Sequence, residues 1–134
     1  MAHLLASLTI AALLAAGLSG PAAATSLDDL RWKARPLVLF APAADDARLA
    51  DQMARLSGAS AGLKERDMAV ITVIAANDPL RSRLKAPREG FLLVLVGKDG
   101  HVAQRWSTPQ APATLFALID RMPMRQDEMR RSGQ

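Results

Sequence analysis

Four apolar runs divide the chain. Residues 37–41 and 91–96 are unbroken in hydrophobicity, residues 68–74 are unbroken and β-branched, and residues 101–106 mix polar with apolar positions. Continuous runs of this length read as strands covered on both faces, and the mixed run reads as a strand at a sheet edge. Between the first two runs, Asp45 or Asp46 caps a helix whose apolar stripe is Leu49, Met53 and Leu56, with Gly58 and Gly62 ending it. A link long enough for a helical crossover makes those two strands parallel and right-handed. Asn77-Asp78-Pro79 starts a short helix with Leu80 and Leu84 as its apolar pair. Lys98-Asp99-Gly100 is a hairpin turn. Pro109 and Pro112 introduce a helix carrying Leu115, Leu118, Ile119 and Met122, which Pro123 interrupts before a charged helical tail, 123–131. Residues 26–30 form a short helical or capped lead-in. The order β-α-β-α-β-β-α requires helices on both faces of a mixed four-stranded sheet: an α/β, three-layer, thioredoxin-like layout.

The first 24 residues have a different character. Residues 4–18 are an Ala- and Leu-rich run of about 15, short for a membrane span and suited to a secretory signal. Ala22 and Ala24 supply an A-x-A cleavage site, so the cut is expected after Ala24, leaving 25–134 as a single domain that is periplasmic or secreted. Met1-Ala2-His3 carries no Lys or Arg, which leaves a retained N-terminal anchor as the alternative. After cleavage no stable membrane insertion is expected.

Charge and composition then narrow the function. The 17 basic and 13 acidic residues give a net charge of +4, but the signs are interleaved, which describes a solvated surface more than a nucleic-acid stripe. Two Trp, three Phe and no Tyr are too few for a base-stacking platform, so no nucleic-acid partner is expected. The chain has no cysteine. Disulfides and thiol redox chemistry are therefore excluded, and a packed core must supply the stability.

Against that background, the turn Ala41-Pro42-Ala43-Ala44-Asp45-Asp46 occupies the place where the thioredoxin plan carries its redox thiols. Carboxylates at a helix mouth satisfy its free N–H groups and repel phosphate. Asp45 and Asp46 are caps first, and part of a cation or partner site second. Met122, Met124 and Met129 are either gap-filling packing or soft thioether ligands for Cu(I). Arg125 follows the Pro123 kink and is expected to turn back onto Asp67 or Asp99, fixing the tail; Asp127 and Arg131 are spaced for a helical ion pair. His101 is the one histidine beyond the leader, exposed beside the hairpin, so neither a zinc site nor a serine triad with Ser57, Ser60, Ser82 or Ser107 is supported. Trp32 and Trp106 are expected to cover sheet ends. The candidate binding residues are Asp45, Asp46, Arg125, Met122 and Met124. No catalytic residue, metal or cofactor is assigned.

Several phrases also resemble a known family when taken together: Leu30-Arg31-Trp32-Lys33-Ala34-Arg35, Leu39-Phe40-Ala41-Pro42, Arg66-Asp67, Gly97-Lys98-Asp99-Gly100, and the run from Asp120 through Met122-Pro123-Met124-Arg125-Gln126 to Met129. They are similar to a bacterial exported family of unknown function, the prokaryotic branch of the DUDES domain, with relatives in secreted sushi-repeat and matrix proteins. The resemblance implies a thioredoxin-like, peroxiredoxin-related fold without the paired redox cysteines. The function expected is a binding or interaction module with a protein or cell-envelope partner. The alternatives are a non-thiol enzyme around Asp45, Asp46 and Arg125, or Cu(I) handling by Met122, Met124 and Met129.

Overall fold

The computed structural model describes residues 26–133; the expected leader and its cleavage point lie outside them. The elements run α1 (Leu27–Leu30), β1 (Arg35–Phe40), α2 (Ala47–Ser57), α3 (Ser60–Glu65), β2 (Met68–Val73), α4 (Pro79–Arg83), β3 (Leu92–Val96), β4 (Val102–Trp106), α5 (Pro112–Asp120) and α6 (Pro123–Arg131). The strands form one mixed sheet in the order β2-β1-β3-β4. β1 is parallel to β2 and antiparallel to β3, and β3 is antiparallel to β4.

Alternation along β1 and β3 builds a core on each face, since successive side chains of a strand point to opposite sides. Leu37, Leu39, Ala41, Leu93 and Leu95 meet Leu49 and Leu56 of α2 and Leu115 and Ile119 of α5. Val38, Phe40, Val94 and Val96 meet Leu27 of α1 and Leu84, which follows α4. Each such side chain contributes about 1.5–3 kcal/mol by leaving water, so the two central strands carry the fold.

The differences from the expected pattern have local causes. β2 is an edge strand with Val70 exposed, although its sequence is as apolar as that of the central strands. On α2, Met53 faces solvent, and Gln52 takes the inner position with no exposure. Its amide donates to Gln110 O at 3.0 Å and accepts from Gln110 N at 2.7 Å, satisfying a buried polar group and pinning the approach to α5. Gly58 is the C-cap of α2, but Gly62 lies inside α3. A Cβ there would sit 2.5 Å from the Phe116 ring, so glycine at this point is a packing requirement and not a helix stop. The Arg66 guanidinium stacks on the same ring at 4.2 Å from its centre. Trp32 does not cover a sheet end: it sits at φ +67° with 62% of its surface exposed. Trp106 packs half-buried on the α2/α5 side.

Candidate binding site

The turn after β1 is capped by its own carboxylate. Asp46 accepts from Arg48 N at 2.9 Å and Leu49 N at 3.2 Å, and pairs with the Arg48 guanidinium at 2.9 Å. Those contacts, the Arg48 side chain first, hold the Asp46 carboxyl below its ordinary range. Asp45 is exposed. The mouth of α2 is therefore closed by its own cap, a carboxylate already engaged with Arg48 and two backbone N–H groups.

The opposite end of β1 holds a connected set of ions. Arg35, the first residue of the strand, has no exposed surface. Its guanidinium meets the Glu128 carboxylate of α6 at 3.1 and 3.2 Å and also donates to Arg66 O at 2.9 Å. Lys98, beyond β3, reaches the same Glu128 at 2.6 Å and Asp67 at 2.8 Å. Arg125, 3% exposed, pairs with Asp120 and Glu65 at 3.1 Å each. It fixes the tail, but through these two acids and not through Asp67 or Asp99. Asp120 also takes a two-pronged contact from Arg66 at 2.8 and 2.9 Å. Burial pushes the Glu128 carboxyl up, but the hydrogen bonds from Arg35 and Lys98 outweigh it and hold the group below its usual range. On the outer face of α6, Asp127 pairs with Arg130 and not with Arg131.

A cavity of about 360 Å³ opens beside this network. Arg35 lines it, the apolar walls are Val102, Ala103, Met122, Pro123 and Met124, and the rim is the hairpin with Asp99 and His101. Two residues of this lining, Arg35 and Met122, carry or adjoin donors without a side-chain partner. The Arg35 Nε is the single buried side-chain donor without a partner among the described residues. The first turn of α6 also has no side-chain cap, because Met122 holds the N-cap position, so its N–H groups face the next available acceptor. His101 is exposed, with Nδ1 3.3 Å from Asp99. Among the described residues, no group of three or more His, Asp and Glu could hold a metal ion.

The five residues singled out from sequence thus divide between two places. Arg125, Met122 and Met124 gather at the α5–α6 junction, whereas Asp45 and Asp46 follow the far end of β1. The strand between Arg35 and Phe40 is about 17 Å long. Met129 is not in the cavity lining. Sequence reasoning missed Arg35 and Lys98, and it also missed Arg81. The buried Arg81 guanidinium of α4 donates to the carbonyls of Ala41, Ile74, Ala75 and Pro87 at 2.7–3.1 Å, tying the ends of β1 and β2 to the loop after α4. Arg35 and Lys98 lie close to apolar runs and within the family-like phrases, whereas Arg81, in the polar turn Pro79-Leu80-Arg81-Ser82-Arg83, gives no signal.

Comparison with known proteins agrees with this architecture. The chain is 30% identical over 124 residues to the sushi repeat-containing protein SRPX of Rattus norvegicus and of Homo sapiens. In both cases 80% of this chain is matched but only 27% of the relative, so the chain spans about a quarter of the length of these curated relatives. A crystal structure of reduced Plasmodium vivax 2-Cys peroxiredoxin superposes with a TM-score of 0.62, covering 75% of this chain and 84% of that one at 11% identity. That likeness establishes a peroxiredoxin-type, thioredoxin-like fold and nothing about activity. A family model described as a domain of unknown function, DUF4174, matches residues 26–128, and the chain belongs to that family.

Proposed function

We propose that this domain acts by binding, on a thioredoxin-like scaffold without thiol catalysis, as an exported module whose partner is a protein or a cell-envelope component. The observation that carries the reading is the cavity at the α5–α6 junction. Five large hydrophobic side chains are exposed among the described residues. Of these, Val102 and Met124 line the cavity, and the Trp32 backbone N–H donates to Lys98 O, which ties its segment to the rim hairpin. Apolar surface gathered around a formed concavity is what an interaction site requires. The relatives support a modular role, since the matching segment is about a quarter of proteins named for their repeats. No described helix is long and apolar enough to cross a membrane.

The test is crosslinking of the purified chain in an envelope fraction, with and without Val102→Glu. One stoichiometric partner that is lost with the variant supports the reading. Robust peroxide consumption or dithiol turnover by the cofactor-free protein overturns it.

A second reading is Cu(I) handling by Met122, Met124 and Met129, for which the cavity gives partial support: Met122 and Met124 line it beside His101, and Met129 does not. Thioethers and imidazole are soft enough for Cu(I), and the Asp99 contact orients the ring. Titration against a chromogenic Cu(I) chelator checks it: binding no tighter than about micromolar, near 8 kcal/mol, removes it.

A further inference from the structure

We infer that the cavity at the α5–α6 junction is a carboxylate site: it takes a carboxylate borne on a small apolar group, either a free apolar acid or the C-terminal residue of a peptide. The inference rests on the binding reading and adds the class of ligand.

Three independent features point to an anion. The first is the Arg35 Nε–H, which is buried and unpartnered on a residue that lines the cavity. A native buried donor without an acceptor costs roughly 1–3 kcal/mol, and a ligand oxygen relieves that cost. The second is the open start of α6. Pro123 has no N–H, Met122 provides no side-chain cap, and Met122, Pro123 and Met124 form the cavity wall. The free N–H groups of that first turn, with the positive end of the helix dipole, favour negative charge at the site. The third is the distribution of local charge. Arg35 and Lys98, exposed by 1% and 9% at their side chains, share Glu128, and the other acid on Lys98, Asp67, is half in water. Cations and acids balance in number here, but the cations are the buried half of the set and the acids the part-exposed half, so water screens the negative charge more than the positive. Asp99 is the one carboxylate of the lining and opposes an anion, but it is half-exposed, so water screens it, and His101 N donates to it at 3.0 Å.

The walls then select what carries the carboxylate. Val102, Ala103, Met122 and Met124 present methyl, methylene and thioether surface. A volume of about 360 Å³ lies at the small end of ligand pockets, room for a branched side chain or a short alkyl chain and not for a nucleotide or a sugar chain.

The purified full chain is titrated by calorimetry with N-acetyl-leucine, which stands for a peptide C-terminus, with octanoate, which stands for a free acid, and with N-acetyl-leucinamide as the uncharged control. At least one acid should bind about tenfold or more tighter than the amide, equivalent to about 1.4 kcal/mol. The Arg35 Nε–H resonance should shift with it. Ala103→Phe, at an exposed position outside the ion network, should abolish binding and leave the melting temperature unchanged. Which acid binds identifies the source of the ligand. The inference falls if neither acid binds by about 10 mM, if the amide binds as well, or if Ala103→Phe binds normally. A crosslinked partner retained alongside that failure would leave the binding reading standing and remove only the carboxylate.

Discussion

Glu128 in the last helix meets Arg35 at the start of the first strand, 93 residues earlier, through two hydrogen bonds of 3.1 and 3.2 Å. The pair couples the two ends of the fold directly, and Lys98 joins it at 2.6 Å. Removing the carboxylate with Glu128→Leu should destabilise the domain by about 3 kcal/mol, because it leaves buried cations short of a partner. Adding Arg35→Met to that variant should recover most of the loss. Urea denaturation of the two singles and the double measures the coupling; simple additivity would show that the pair does not act as a unit.

Acid should loosen the same clasp. The folded carboxyl of Glu128 sits below its ordinary value of 4.5, and that of Asp120 sits below 3.8, held by Arg66 first and then Arg125. Depressed carboxyl values mean that the unfolded chain binds more protons, so the stabilisation is complete above the ordinary carboxylate range and is lost as pH falls below it. Denaturant midpoints should be flat from about pH 7 to 5 and fall below about pH 4.5. The fall should be shallower in Glu128→Gln.

Arg81→Lys should cost about 2–4 kcal/mol despite keeping the charge. A planar fork reaches four carbonyls at once, which three ammonium donors on a flexible stem cannot do, so buried acceptors lose their partners. A thermal melt decides it: a variant within about 0.5 kcal/mol of the parent, the range of surface changes, would show that the clamp carries no weight.

The two adjacent aspartates after β1 should behave differently. Asp46→Ala removes the cap of α2 and should cost about 1 kcal/mol. Asp45→Ala touches no described partner and should stay within about 0.5 kcal/mol. Equal effects would place both carboxylates in one site.

Strand identity was legible in the sequence because burial of β1 and β3 on both faces leaves no alternation for polar residues to occupy. Strand order was not: β2 is as apolar as its neighbour, and edge position depends on what lies beyond it. The same distinction explains the site. Arg125 could be assigned to a clasp because Pro123 marks the bend, yet its acids, Glu65 and Asp120, depend on where α3 and α5 come to rest. Arg81 carries no motif, and Arg35 stands in a family-like phrase with no role attached; a lone cation near an apolar run reads as a surface residue until the fold encloses it. Asp46 was nearly readable in full, since a cap is a local structure and its partners lie two and three residues away.

Because Arg35 finds its carboxylate in α6, the charge enclosed at the start of β1 is neutralised by a residue far along the chain. Proteolytic trimming of that helix would be felt at the opposite end of the sequence.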